Sequence, residues 1–277
     1  MQFLKKIIDF YIFSNIHVAL AGFCLTKVTL LKFGFNTFIS PLFVALSIIV
    51  SYNFIRFYEI KTNRLGWLKQ WFIEQKKVLI SLSIASILGL IYLLFFTEFK
   101  LNSLVIVLPF AFMTLFYVIP IFKIGSLEVS FRNFPGLKIF SIAIAWAGIS
   151  VLFPLYQEGF KFNQSVFIEF MQRVLFLIAI TLPFDIRDLP SDSEELKTIP
   201  QVLGVHNTKI IGTLLLVFFV LLGFVVQTNL ITTFIIAIVT GLFLWFSTVN
   251  NSRYYASFWV EAIPIFWLCL IVLFLNN

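Results

Sequence analysis

The sequence predicts an all-α integral membrane protein, and three observations lead to that fold class. Of the 277 residues, 60% are hydrophobic and only 12% are charged, and the mean hydropathy is +1.01. Soluble domains are usually about half apolar and a quarter charged, so a single soluble core could not bury this much apolar surface. The apolar residues also occur in runs of roughly 20, the length that crosses a bilayer as a helix. We interpret residues 1–277 as one polytopic membrane domain.

About nine transmembrane helices can be placed along the chain. They are predicted at residues 13–33, 38–60, 78–97, 101–122, 137–155, 166–185, 210–227, 230–248 and 257–275. Only Gln227-Thr-Asn229 separates the seventh from the eighth. Because these two runs together exceed the length of one span, a tight hairpin is expected between them.

The basic residues predict the orientation of the spans. If the N-terminus and the connections after even-numbered spans share one side, that side holds fifteen of the 20 Lys and Arg residues. The other side holds Lys27, Lys32, Lys100, Lys161 and Arg173. By the positive-inside rule the N-terminus is cytoplasmic and, with nine spans, the C-terminus lies outside. A multi-pass protein of a bacterial cytoplasmic membrane is the expected setting.

The same orientation collects the long connections on one face. Those at 61–77, 123–136 and 186–209 all fall on the predicted cytoplasmic side, so function is expected there. The formal net charge of +7 therefore indicates orientation and contact with membrane lipid, and no basic tail supports nucleic-acid binding. Cys24 and Cys269 both lie in apolar runs and offer no disulfide framework or Cys/His metal site.

An acidic cluster follows the sixth predicted span. The chain has four aspartates, and three of them lie in the eight-residue stretch Asp185-Ile-Arg-Asp188-Leu-Pro-Ser-Asp192. The first two share a helix face, Pro190 is expected to end or kink the helix near Leu189, and Ser191-x-x-Glu194 resembles a capping box that starts a short helix.

Two interpretations of this cluster follow from the residues alone. Crowded carboxylates stay ionised best around a hard cation, and Mg²⁺ keeps coordination positions for phosphate oxygens. The stretch would then hold Mg²⁺ and, through it, a diphosphate. Alternatively, this is a solvated helix end whose acids pair with Arg187 and Lys197.

The surrounding sequence resembles a known family. The stretch from Pro183 through the three aspartates to Lys197-Thr-Ile-Pro200-Gln-Val-Leu-Gly204 is similar to the second aspartate-rich motif of the UbiA family of intramembrane prenyltransferases. Nine helices with this motif at the cytoplasmic end of the sixth also match that family. Tyr117-Val-Ile-Pro120-Ile-Phe-Lys123, followed by Arg132 and Lys138, looks like the family's loop between helices 4 and 5.

The resemblance implies a UbiA-like bundle and a Mg²⁺-dependent prenyltransferase. The partners would be a prenyl diphosphate and an aromatic or other lipophilic acceptor. Asp185, Asp188 and Asp192 would be the catalytic residues that hold Mg²⁺ against the diphosphate. The cations implied for the free diphosphate oxygens are Lys123, Arg132, Arg56, Lys61, Arg187 and Lys197. The expected pocket residues are Asn53 and Tyr117.

The first aspartate-rich motif of the family is degenerate here. The corresponding stretch begins at Asn53, contains Arg56, Glu59 and Lys61, and ends at Asn63-Arg64, with all three aspartates replaced. One Mg²⁺ site is therefore better supported than two.

Three interpretations of this loss remain open. The cations Arg56, Lys61 and Arg64 could supply the positive charge of the missing metal, or they could only contact lipid headgroups. Alternatively, catalysis is lost, and the protein binds an isoprenoid or quinone-like lipid or stabilises a membrane partner. A transporter is disfavoured because the polar residues gather at one face.

Two ionisable residues within the spans fall outside these motifs. His17 in the first span and Glu261 at the start of the ninth are unusual at membrane depth. A lone histidine in a bundle more often bonds a neighbour than binds a ligand, and Glu261 could pair with Arg253 at the interface.

Overall fold

The computed structural model describes residues 2–61, 68–124, 127–226 and 230–275, and helices make up most of these ranges. The α-helices within them are α1 (Gln2–Phe13), α2 (Ile16–Lys32), α3 (Ile39–Lys61), α4 (Leu68–Glu74), α5 (Lys76–Phe96), α6 (Leu104–Val118), α7 (Lys138–Ala147), α8 (Phe153–Gln157), α9 (Gln164–Asp188), α10 (Ile199–Val226), α11 (Leu230–Trp245) and α12 (Ile263–Leu275). The predicted all-α fold class is confirmed.

Shorter elements join these helices. Two 3₁₀ turns lie at Leu101–Ser103 and Glu194–Leu196, and two π-helical segments lie at Gly148–Leu152 and Tyr255–Val260. The predicted cytoplasmic connection 123–136 also contains a small antiparallel hairpin that the sequence analysis did not predict. Its strands are β1 (Phe122–Ile124) and β2 (Leu127–Val129), with Lys123 opposite Glu128.

Seven helical segments of the described chain are long and apolar enough to cross a membrane. The broken pair α1–α2, bent by 53°, would make an eighth. The predicted span 230–248 is α11, whose 16 residues extend about 24 Å and fall short of the usual length of a span. Each of the nine predicted spans thus coincides with a helical segment, although only seven or eight pass the test of length and composition.

The start of α10 differs more from the predicted spans than any other boundary of the described helices. Helix α10 starts at Ile199 instead of 210. It is kinked at Gly204, whose φ of 76° is not helical but is a conformation that glycine adopts at little cost. The connection between α10 and α11 lies outside the described residues, but the two helices pack against each other, as the predicted hairpin requires. The orientation of the termini remains a prediction.

The first span is broken at Asn15, which has a left-handed backbone (φ 68°, ψ 11°) that asparagine tolerates better than most residues. Its side-chain amide donates a hydrogen bond of 2.8 Å to Asn53 Oδ1 on α3. The Asn53 amide in turn donates to Ser83 Oγ on α5 at 3.0 Å. These polar contacts tie the break to two neighbouring helices inside the bundle.

Helix α9 lies at the centre of the largest apolar cluster. It packs against α10, α7 and α11, and Phe176 meets the buried ring of Trp267 edge-on at 5.1 Å between centroids. Asn163 caps its N-terminus by accepting a bond from the Val166 backbone N–H. Because this central helix ends at Asp188, it delivers the acidic cluster to one end of the bundle.

The other end of α9 carries a buried ionic network. Glu169 and Arg173 are fully buried and pair at 3.0 Å, and Glu169 also binds Lys32. Arg173 further donates to the Leu25 carbonyl at 2.9 Å and to Thr29 Oγ1 at 3.0 Å. Lys32 and Arg173, which the orientation count assigns to the side opposite the acidic cluster, lie at this end of α9 within the bundle, where paired charges are tolerated.

Gly148 is required where α6 packs against the first π-helical segment. A Cβ there would come within 2.0 Å of Phe110 ring atoms, a distance that non-bonded carbons do not reach. Gly148→Ala is therefore expected to lower the free energy of unfolding by about 1–3 kcal/mol. Thermal unfolding in detergent checks this, with Gly241→Ala as control because its nearest contact, Leu216 Cδ1, lies 3.6 Å away. Equal melting temperatures for both variants would refute the steric argument.

Candidate functional site

A cavity of about 530 Å³ opens among α2, α3, α6, α7, α9 and the start of α12. Most of its wall is apolar or aromatic, including Ile48, Phe54, Phe110, Trp146, Ile180 and Phe184. Its polar lining comes mainly from helix ends and the loop before α7: Arg56, Glu59, Tyr117, Arg132, Lys138, Asp185, Arg187, Asp188 and Asp192. We call this polar end the mouth of the cavity.

Helix α9 presents the acidic cluster to the mouth. Asp185 lies in its last turn and is 2% exposed, Asp188 is its final residue, and Asp192 follows the turn. The backbone N–H of Asp192 donates to the Asp188 carbonyl at 2.8 Å, and Pro190 cannot continue the helix. The predicted helix end near Leu189 is confirmed.

The predicted capping box at Ser191 is wrong. The next helical turn is a 3₁₀ turn that begins at Glu194 after Ser193, without a side-chain cap. Ser191 Oγ instead donates to the Asp188 carbonyl at 2.9 Å. The Ser191 hydroxyl thus satisfies a carbonyl at the C-terminus of α9, which has no partner within the helix, and does not cap the turn that follows.

Lys138 binds two of the three aspartates. Its Nζ lies 2.9 Å from Asp185 Oδ1 and 3.1 Å from Asp192 Oδ2, so the start of α7 is joined to the end of α9. Lys138 belongs to the loop motif that resembles the family, but no role for it was predicted. The sequence did contain one indication of this pairing: Lys138 begins a predicted span on the same side of the membrane as the acidic cluster.

The third aspartate binds its neighbour on the chain. Arg187 donates from Nε to Asp188 Oδ1 at 2.7 Å and from Nη2 to Oδ2 at 3.0 Å, a charge-assisted fork. Its Nη1 also donates to Ser257 Oγ at 3.0 Å. The alternative partners expected from the sequence are thus half correct: Arg187 pairs with the cluster, but the second cation is Lys138 in place of Lys197.

The degenerate first motif contributes a charged rim. Glu59 is 2% exposed and binds Arg56 at 3.0 Å and also Arg132. The backbone N–H of Arg132 donates to the Tyr117 carbonyl at 3.1 Å. Burial, and then the charge of Arg56, lower the pKa of the Arg132 guanidinium, but an arginine stays protonated at neutral pH. Two guanidiniums are therefore held beside the aspartates.

The remaining site residues proposed from the sequence are not part of the described mouth. Asn53 is buried in its bonds to Asn15 and Ser83 and does not line the cavity. Lys61 and Lys197 are exposed and also lie off its wall. The backbone of Lys123 lies in β1, but its side chain is outside the description, as is all of Arg64.

The described lining has a nearly balanced charge. Four cations, Arg56, Arg132, Lys138 and Arg187, accompany five carboxylates, Glu59, Asp185, Asp188, Asp192 and Glu261. The formal net charge of these residues is −1. Without Glu261, the mouth itself holds four cations and four carboxylates, so a strongly anionic diphosphate gains no net attraction there unless further positive charge enters with it.

Carboxylate oxygens are the ligands that Mg²⁺ prefers, so the donor set suits this ion chemically. Within the part of the chain that the structure describes, however, no three Asp, Glu, His or Cys side chains are grouped as metal ligands. Lys138 lies between Asp185 and Asp192, and Arg187 takes both oxygens of Asp188. A divalent ion would have to displace the Lys138 ammonium to reach two of the carboxylates.

Comparisons with known proteins bear on the fold. No protein-family model and no curated protein matches the sequence. A UbiA homolog from Archaeoglobus fulgidus, solved bound to GPP and Mg²⁺, is similar in structure with a TM-score of 0.59 at 14% identity, covering 94% of this chain and 97% of that one. A structure of a UbiA homolog from the same organism bound to Cd²⁺ gives a TM-score of 0.54 at 14% identity, covering 95% and 100%. This chain therefore has a UbiA-like fold.

Proposed function

We propose that the protein binds a prenyl diphosphate and transfers its prenyl group to a lipophilic acceptor. The observation that carries this proposal is one continuous cavity in which an apolar, aromatic wall meets a mouth of carboxylates and cations. Such a site suits a ligand with a hydrocarbon chain and a charged head. The similar Archaeoglobus protein was solved with GPP and Mg²⁺, which supports the same ligand class here.

The charge of the mouth argues for a metal ion as a co-ligand. Asp185, Asp188 and Asp192 are the residues that would hold Mg²⁺, which would supply positive charge to the diphosphate oxygens. Lys138, once released from its two aspartates, would be free to donate hydrogen bonds to the same oxygens. Because one acidic motif is degenerate, we propose one such metal site, with the mouth on the predicted cytoplasmic face.

The protein's own residues can assist departure of the diphosphate. As the bond between the prenyl carbon and the diphosphate oxygen breaks, negative charge grows on the diphosphate. The Arg56 and Arg132 guanidiniums lie at the mouth, where Glu59 fixes their position, and guanidinium forks suit phosphate oxygens. The aromatic wall, with Phe110 and Trp146, would exclude water from the allylic cation and offer it π faces.

A second candidate function is binding of an isoprenoid or quinone-like lipid without catalysis. It is favoured by one observation, namely that Asp185, Asp188 and Asp192 are each already paired with a cation of the protein. The first-motif aspartates are also absent. Such a protein would hold its ligand through the apolar wall and would need neither Mg²⁺ nor a diphosphate.

A binding experiment separates the two functions. Purified protein in detergent is expected to bind labelled geranyl diphosphate in the presence of Mg²⁺ and to lose that binding when the metal is chelated. Asp188→Asn is expected to weaken binding at least about tenfold, since it removes a charged ligand or its support. Asp9→Asn is the matched control, because Asp9 pairs with Arg253 and Tyr254 away from the cavity.

Each result has a defined meaning. Failure of the wild-type protein to bind geranyl diphosphate or longer prenyl diphosphates would refute the transferase proposal. Binding of a neutral isoprenoid or quinone that is indifferent to Mg²⁺ would establish the second candidate. Diphosphate release on addition of phenolic acceptors would extend binding to catalysis.

A further inference from the structure

Glu261 differs from every other described carboxylate that lines the cavity. Glu59, Asp185, Asp188 and Asp192 all bind lysine or arginine side chains. The Glu261 carboxylate has no hydrogen-bond or ion-pair partner among the described residues. Arg253, its expected partner, instead lies 3.7 Å from Asp9. The side chain faces the cavity; Arg187 and Arg56 act on its charge through space, but no described lysine or arginine forms an ion pair with it.

The backbone before Glu261 is irregular. Residues Tyr255–Val260 form a π-helical segment, and the Glu261 N–H donates to the Ala256 carbonyl, five residues back, at 3.1 Å. Single π turns are uncommon and occur frequently at functional sites. The bond between Arg187 and Ser257 anchors this segment to the mouth. Glu261 therefore lies about one helical turn beyond the mouth, where the wall becomes apolar.

An unpaired carboxylate at this depth is costly, so its placement indicates a ligand that supplies the missing hydrogen bond. In its ionised form the Glu261 carboxylate only accepts hydrogen bonds, so a ligand group that stabilises that form must be a donor. A prenyl chain has no donor and a diphosphate is repelled. The acceptor is the one reactant of the proposed function that can carry such a group.

We infer that Glu261 binds a hydroxyl group of the acceptor and takes the proton that the acceptor loses. This inference rests on the proposed transferase function. In the reaction, the nucleophilic atom of the acceptor forms the new bond to the prenyl carbon. The allylic C–O bond breaks with its electron pair left on the diphosphate, and the proton goes to the Glu261 carboxylate. The acceptor is therefore a phenol or hydroquinone without a carboxylate beside that hydroxyl, since Glu261 would repel one.

Paired probes test this specificity without requiring turnover. Binding of 1-naphthol and of 1-hydroxy-2-naphthoate can be followed by quenching of tryptophan fluorescence, since Trp146 lines the cavity. Wild-type protein is expected to prefer 1-naphthol by at least about tenfold, because like charges that are brought together are strongly disfavoured. Glu261→Gln is expected to abolish the preference and not to weaken binding of geranyl diphosphate, since it removes a negative charge from the wall. Glu158→Gln is the control, because Glu158 follows α8, accepts a hydrogen bond from Thr37 and does not line the cavity.

The melting temperature of the Glu261→Gln variant provides a second test. Because Glu261 has no partner among the described residues, Glu261→Gln should keep or raise the melting temperature in detergent, whereas a structural carboxylate would lower it. Equal binding of the two probes to the wild type, or a preference that survives in Glu261→Gln, would overturn the inference.

The inference and the proposed function can fail separately. If wild-type protein binds geranyl diphosphate but shows no preference between the probes, the role of Glu261 is wrong and the transferase proposal stands. If it prefers 1-naphthol through Glu261 but binds no prenyl diphosphate, the transferase proposal is wrong, and Glu261 binds the hydroxyl of some other lipophilic ligand.

Discussion

Replacing Glu169 with leucine is expected to lower the free energy of unfolding by about 3–5 kcal/mol. Glu169 is the carboxylate that neutralises Lys32 and Arg173, and all three side chains are buried among α2, α9 and the ring of Trp267. Without it, two like charges remain inside the bundle and lose the one carboxylate that binds them among the described residues. The loss comes mainly from these stranded cations, since the attraction within a buried pair is largely offset by its desolvation.

Thermal or denaturant unfolding in detergent measures this effect. The triple variant Lys32→Met, Glu169→Leu, Arg173→Leu is expected to regain most of the stability, because removing every charge removes the penalty. Glu195→Leu, at an exposed position, serves as the surface control. A wild-type melting temperature for Glu169→Leu alone, or a triple variant less stable than the single one, would show that the network is not held together by charge neutralisation.

Replacing Lys138 with methionine is expected to raise the affinity of the ligand-free protein for Mg²⁺ or Mn²⁺ by at least about tenfold. The ammonium lies within 3.1 Å of oxygens from Asp185 and Asp192 and so occupies the place of a cation between them. Its removal leaves two facing carboxylates, which a divalent ion can then neutralise. The same variant should bind geranyl diphosphate less tightly, because Lys138 would no longer be available to the phosphate oxygens.

Calorimetric titration with Mg²⁺, or the spectrum of bound Mn²⁺, measures the first effect. Lys197→Met is the matched control, since this exposed lysine follows the same acidic cluster but does not line the cavity. If Lys138→Met binds the metal no better than wild type, the ammonium does not compete for the metal position. An equal gain in the Lys197 variant would assign the effect to the general charge of this face.

The sequence by itself was sufficient for the features that depend on local composition. Apolar runs mark the spans because lipid must solvate them, and the three aspartates lie together because they are close along the chain. Pro190 ends α9 by removing a backbone donor. Local reasoning failed at Ser191, whose hydroxyl binds a preceding carbonyl, and at the hairpin of β1 and β2, whose strands alternate apolar and polar residues over only three positions each, too few to indicate a strand.

Only the tertiary structure decided which charges meet. Lys138 reaches Asp185 and Asp192, and Arg132 reaches Glu59, across helix boundaries. Such pairs depend on how each helix is rotated and tilted.

Long-range packing sets those rotations, for example through the contact of Phe176 with Trp267 on α12. No local pattern in the sequence predicts such a contact. The same packing buries Lys32 and Arg173 with Glu169 inside the bundle, a pairing that the charge count could not indicate. It also placed Glu261 on the wall of the cavity with no ion-pair partner in the described part of the chain. The acidic cluster was therefore predictable as a group of residues, whereas its pairing with the protein's own cations is a property of the assembled helices.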